Sequence, residues 1–348
     1  MGRRLTDRKL SELERKIQNE YRQAEKEVKS KLDDYLRRFE VKDRIKLRQL
    51  NEGKITFEEY KKWRMGQIAI GDRWEFMRRN LAHDLANYQQ IAKAMANGYM
   101  PEVYCININY TTYDIEHRAR VDTSFLMYNQ DAVQRIVTEN PELLPPPGVQ
   151  MTQKLAMRKA VKWEEGQLQS VITQAILQGE SISHMADRMA RTLCVSDRKA
   201  AIRYARTAIT EAENAGRIDG FHRAQSMGIK LKKTWLAVLD GRTRDAHREL
   251  DGQSIPVDDY FENALGKIKA PGDPTAKPAN FWNCRCGLAS EIEGFETDWS
   301  DLSLRNTKKL GDMSYEEWKK AHGTSQAIET PDKIAALMKR RYIADYRR

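Results

Sequence analysis

Four cysteines in 348 residues, at 105, 194, 284 and 286, are too few and too scattered for a disulfide scaffold. They fit free thiols in a reducing compartment, and only the closely spaced last pair calls for a chemical account. No run of about 18 uninterrupted apolar residues occurs, and residues 1–10 lack the apolar stretch of a secretory signal. Neither a membrane-spanning nor a visibly exported chain is expected. The sequence also has no Walker loop, Gly-x-Ser-x-Gly elbow or His-Glu-x-x-His helix, so no familiar hydrolase or nucleotide-hydrolysing site is encoded.

What the chain does have is charge. Charged residues make up 32% and hydrophobic residues 40%, a balance that suits long solvated helices beside a smaller compact region. The net charge of +10 is uneven: residues 1–100 hold 24 Lys and Arg against 16 Asp and Glu. A second basic focus lies at the end, where Lys339, Arg340, Arg341, Arg347 and Arg348 face only Asp345. These five are candidate contacts to DNA phosphates, which would be salt-sensitive and indifferent to sequence. The competing reading is that Lys and Arg simply solvate long helices, since acidic residues are interleaved with them.

The apolar stripe Leu10, Leu13, Ile17, Tyr21, Ala24, Val28, Leu32, Tyr35 and Phe39 predicts a long helix, nearly straight because its period is close to eleven residues. After Gly53, Thr56 and Glu59 form a capping-box pattern that opens a second helical stretch. That stretch is expected to end at Asn97-Gly98, giving a basic helical arm over residues 1–100. Residues 103–113, Val-Tyr-Cys-Ile-Asn-Ile-Asn-Tyr-Thr-Thr-Tyr, are rich in strand formers and are read as extended. They belong to a β-containing connector, 101–148, that closes on Pro145-Pro146-Pro147-Gly148.

Helices are expected over 152–178, 181–193 and 197–227, then a strand over 233–238 and a short helix over 242–250. The fold class is therefore mainly α with a small β component (α+β). A long N-terminal helical arm precedes a compact helical domain, 149–295, that carries a short β-sheet, and 296–348 is a helical and polar tail.

The chemistry concentrates between residues 235 and 286. Trp235, Asp240, Arg242, Thr243, Arg244, His247, Asp251, Gly252 and Gln253 are followed by Asn283, Cys284, Arg285 and Cys286. Cys284, Cys286 and His247 are suitable zinc ligands, with Asp240, Asp245 or Asp251 as a fourth. The tight Cys-x-Cys spacing argues against a routine zinc finger. In the alternative, Asp240 organises a turn, Arg242 and Arg244 bridge to carboxylates or backbone, His247 locks the next loop, and the cysteines simply pack. A third reading gives Asp240, His247 and Asp251 a divalent ion that activates water beside a phosphate, a nuclease.

The pattern Trp-x4-Asp-x-Arg-Thr-Arg-x2-His-x2-Leu-Asp-Gly-Gln followed by Asn-Cys-Arg-Cys resembles the phage Mu F-like family of minor head proteins. Arg206-Thr207-x3-Glu211, Asn214-x-Gly216-Arg217, Phe261 and Pro271-Gly272-Asp273-Pro274 support the resemblance, which covers roughly residues 152–292. It implies a structural virion protein of a tailed bacteriophage, present in few copies, without enzymatic activity. Its implied partners are the portal protein, other capsid or scaffolding proteins and packaged double-stranded DNA, and no membrane. It implies a place in the head interior at the portal vertex, and in the host cytoplasm during assembly, with roles in head morphogenesis, genome packaging and delivery. Some relatives carry an appended toxin or nuclease module, for which the last fifty or so residues are expected to be too short. The alternative from the residues alone is a metal-dependent phosphodiesterase or a sequence-neutral DNA-binding protein.

Overall fold

The computed structural model describes residues 2–119, 126–148, 151–294, 314–322 and 330–343. Arg347 and Arg348, residues 120–125 of the expected connector and much of the tail lie outside the described residues. Six helices come first: α1 (Gly2–Asn51), α2 (Phe57–Ile68), α3 (Asp72–Ala119), α4 (Gln130–Glu139), α5 (Gln153–Leu177) and α6 (Ile182–Ser226). Strand β1 (Leu231–Leu236), helix α7 (Asp245–Arg248), strands β2 (Ser254–Pro256), β3 (Phe261–Asn263) and β4 (Gly266–Ile268), helix α8 (Pro278–Phe281) and strand β5 (Gly287–Ile292) follow. Helices α9 (Tyr315–His322) and α10 (Pro331–Ile343) complete the described chain. The molecule is mainly α with small antiparallel sheets. Its helices include none long and apolar enough to cross a membrane among the described residues.

Contacts divide the chain into two compact units, one of residues 1–13, 95–149 and 203–348, the other of residues 14–94 and 150–202. In the second unit the α1 stripe is buried from Ile17 through Phe39 as its spacing requires. The Thr56–Glu59 capping box forms: the Glu59 backbone N–H donates to Thr56 Oγ1 at 3.2 Å, and the Thr56 N–H donates to Glu59 Oε2 at 2.8 Å. Tyr35 Oη donates to the Ile68 carbonyl at 2.6 Å, and Trp74 Nε1 to Gln169 Oε1 at 2.6 Å, so these two aromatics place their polar ends on partners. Glu164 and Asp197 lie buried side by side, and burial with mutual repulsion pushes the Glu164 carboxyl far above its ordinary range.

In the first unit the structure corrects the reading of residues 103–113 as extended. They are helical, part of α3, which also runs through Asn97-Gly98 and Pro101 without stopping. Burial is the reason: Val103, Tyr104, Cys105, Ile108, Tyr113 and Ile115 are all enclosed, more than a half-covered strand would bury. The polar residues between them are satisfied within a helix. Asn107 Nδ2 donates to the Val103 carbonyl at 2.8 Å and Thr112 Oγ1 to the Ile108 carbonyl at 3.0 Å, each four residues back. The expected break between 193 and 197 is likewise absent, and α6 is continuous.

Helices α3 and α6 approach closely in this unit at two glycines of α6. A Cβ at Gly216 would lie 2.5 Å from the Tyr104 carbonyl oxygen, and one at Gly220 2.8 Å from Thr111 Cγ2. Against α6 packs a three-stranded antiparallel sheet in the order β2-β1-β5, with Trp235 opposite Leu288 and Thr234 opposite Ser254, and a separate β3-β4 hairpin. One core joins them through Trp235, Leu250, Phe261, Phe281, Leu288 and the two cysteines 284 and 286.

Candidate functional site: a buried Cys/His cluster

One face of α6 organises the region. Thr207, Thr210, Asn214 and Arg217 recur at spacings of 3, 4 and 3, so they share a face of the helix. The Asn283 N–H donates to Thr207 Oγ1 at 2.9 Å, and Thr210 Oγ1 donates to the Cys284 carbonyl at 2.9 Å. Asn214 accepts from the Leu288 N–H at 3.0 Å and donates to the Pro271 carbonyl at 3.1 Å, while Arg217 donates to the Leu288 carbonyl. Asn283 adopts a left-handed conformation, φ +55°, which asparagine tolerates better than most residues. The turn that precedes β5 is thus clamped to α6, and it presents Cys284 and Cys286 inward.

His247, on α7, meets these sulfurs from the other side. Its Nδ1 lies 3.6 Å from Cys284 Sγ and 3.6 Å from Cys286 Sγ, and all three residues are buried. The other ring nitrogen, Nε2, is 3.0 Å from Asn280 Oδ1. The orientation of Asn280 is fixed independently, because its Nδ2 donates to the Gly266 carbonyl at 3.2 Å, a group that can only accept. Asn263 strengthens the arrangement, since its Nδ2 donates to both the Ala246 carbonyl and Asn280 Oδ1 at 3.2 Å. His247 therefore carries its proton on Nε2 and turns a bare Nδ1 lone pair toward both sulfurs.

Trp235 packs edge-on against the His247 ring at 5.4 Å and against Phe261 at 5.2 Å, closing the cluster on the β1 side. The Cys284 and Cys286 thiols are coupled. A hydrogen bond from Cys284 holds the Cys286 thiol below its ordinary range, and the same bond together with burial pushes the Cys284 thiol up.

The acidic residues expected to join this cluster do not. Asp240 accepts two bonds of 2.6 Å from the Arg285 guanidinium and one of 2.9 Å from the Arg242 N–H. Those contacts hold its carboxyl well below the usual carboxylate range. Asp251 accepts from the Ala237 N–H at 2.7 Å, and Asp245 points outward, 93% exposed. Among the described residues no further His, Cys, Asp or Glu shares the group formed by His247, Cys284 and Cys286. The set Asp240, His247 and Asp251 read as a nuclease site is not assembled.

Several motif residues instead build the surrounding loop: Arg244 donates to the Trp282 carbonyl at 2.5 Å, and Thr243 donates to the Val238 carbonyl. The Gln253 and Gly252 backbones pair with Trp235 at 3.0 and 2.9 Å, Gly252 at φ +76°. Sequence reasoning did not find Asn280 and Asn263, and a lone Asn in Pro-Ala-Asn-Phe or Phe-Glu-Asn carries no signal of what it will orient.

The basic end is also partly corrected. Lys339 and Arg340 are exposed, but Arg341, expected as a DNA contact, is buried. Arg341 Nη2 lies 3.0 Å from Asp219 Oδ2 and donates to the Leu143 carbonyl at 3.1 Å. Asp219 also accepts from Tyr104 Oη at 2.7 Å. The arginine neutralises an interior carboxylate and is not available to a phosphate.

The chain thus carries a small, loop-rich β region clamped by a Thr-Thr-Asn-Arg face of helix α6. Residues 166–289 match the family described as Phage Mu protein F like protein. Minor head protein GP7 of Bacillus phage SPP1 is 29% identical over 313 residues, which are 86% of this chain and 97% of that protein. Together these matches support a phage Mu F-like minor head protein, a component of a bacteriophage head. The NAD(+)–arginine ADP-ribosyltransferase EFV of Enterococcus faecalis is 27% identical over 213 residues, 59% of this chain but only 40% of that protein. No solved structure matches the chain.

Proposed function

We propose that this protein works inside the phage head at the portal vertex, bound to the portal protein, and assists genome packaging and delivery as a structural component without catalysis. The observation that carries this reading is the 29% identity spread over 97% of the SPP1 minor head protein. A shared module alone would leave much of that relative unmatched. The ADP-ribosyltransferase in the second comparison is matched over 40% of its length, so its activity is not carried over to this chain. The excess of 24 Lys and Arg over 16 Asp and Glu in residues 1–100, with Lys339 and Arg340 exposed near the other end, favours a segment that tolerates packaged DNA as a neighbour.

The test is co-expression with the portal protein of the same phage, followed by size-exclusion chromatography at low and moderate salt. Co-elution at both salts is the expected result. Separate elution at both would overturn portal association, and co-elution lost at moderate salt would reduce it to a screened electrostatic encounter.

A further inference from the structure

We propose that His247 Nδ1, Cys284 Sγ and Cys286 Sγ bind a single zinc ion, which staples the turn before β5 to α7. The inference rests on the geometry of the three side chains and does not depend on the role proposed for the protein in the head. Zinc binds thiolate at about 2.3 Å and imidazole nitrogen at about 2.0–2.1 Å, so a tetrahedral angle sets the sulfur-to-nitrogen separation at about 3.6 Å. Both separations in the cluster are 3.6 Å. The three ligand atoms all lie within 4.8 Å of one another.

The histidine is prepared in the way metal-binding histidines are. Its outer nitrogen is held at 3.0 Å by Asn280, whose own amide is fixed by the Gly266 carbonyl and by Asn263. This leaves one lone pair for two sulfurs. Two thiols cannot both donate to it along its axis, whereas one cation at the common point accepts all three. Binding displaces the thiol protons to solvent and involves no change of oxidation state. Asp240 is occupied by Arg285, so three protein ligands remain and the fourth position falls to a water molecule.

A staple also has a mechanical reason here. The two sheets are built from strands of three to six residues, and the polypeptide between β1 and β5 is mostly loop. Regions with so little regular structure draw on cross-links for stability.

The measurement is elemental analysis of the full chain after dialysis, together with replacement of zinc by cobalt(II). One zinc per chain and a thiolate-to-cobalt absorption band in the near ultraviolet are expected. Cys284→Ser and Cys286→Ser should each lose most of the metal. Because those variants could fail to fold, Asn280→Ala is measured alongside, by competition with a chromogenic chelator. It should weaken zinc affinity by about 10–100-fold through loss of the histidine orientation, and Asn280→Asp, which keeps an acceptor, should restore it. Wild-type protein that takes up neither zinc nor cobalt from excess metal overturns the proposal. Zinc retained unchanged by a variant that combines Cys284→Ser with Cys286→Ser does so equally.

Discussion

Replacing Arg341 by Met tests the claim that this arginine belongs to the interior. Its side chain is 5% exposed and that of Asp219 is 0% exposed, at a separation of 3.0 Å. At an effective dielectric constant of about 20, two unit charges so placed attract by about 5 kcal/mol, much of it offset by desolvation. The variant loses more than the pair, because it strands Asp219 as a buried charge with, among the described residues, Tyr104 Oη as its remaining side-chain hydrogen-bond donor at 2.7 Å. It also leaves the Leu143 carbonyl without its donor at 3.1 Å. Breaking one side of a buried pair typically costs about 3–5 kcal/mol, and that loss is expected here.

The cost should depend on pH. Burial pushes the Asp219 carboxyl up to about 6 in spite of Arg341. A group whose folded pKa is raised favours folding most below its unfolded range, and that contribution fades as pH rises through about 6. The charge that needs Arg341 therefore exists mainly above pH 6. The penalty for Arg341→Met should be largest at pH 8 and clearly smaller at pH 5, and adding Asp219→Asn should recover a good part of it. Urea unfolding followed by circular dichroism at the two pH values measures this. A variant as stable as wild type at pH 8, or one that keeps its stability but loses retention on DNA, would refute the interior assignment.

Two further outcomes are expected. Gly272 has φ +85°, and a Cβ there would lie 2.7 Å from the Glu211 backbone nitrogen, so Gly272→Ala should cost about 2 kcal/mol or more, read as a lowered urea midpoint. In the other unit, the Glu164 carboxyl is raised by burial and by Asp197, so its contribution is present at acid pH and is lost as pH rises from the carboxylate range toward and past neutrality. Thermal stability should fall across that interval, and Glu164→Gln should flatten the fall; an unchanged profile in the variant would show that another group titrates.

Much of the architecture follows from local sequence. The burial of Ile17, Tyr21, Val28 and Leu32 follows from spacing alone, because a helix places residues three and four apart on one side. The Thr56–Glu59 box is a local hydrogen-bond pattern and needs no distant partner. The choice of His247, Cys284 and Cys286 as candidate zinc ligands is also legible, since it rests on residue type alone.

Local pattern does not contain what a distant neighbour supplies. Residues 103–113 have strand propensity, yet enclosure on all sides makes them helix, since burial outweighs differences of about 1 kcal/mol in propensity. Arg341 reads as one more surface cation until Asp219, more than a hundred residues earlier, is placed beside it. Asp240 reads as a metal ligand until Arg285 claims both its oxygens. The helical stripes, the caps and the residue types of the cluster are written along the chain, because they depend on local spacing and chemistry. Which charges are paired, which histidine nitrogen is bare and which carboxylates stand apart each depend on a partner that folding brings close from elsewhere in the chain.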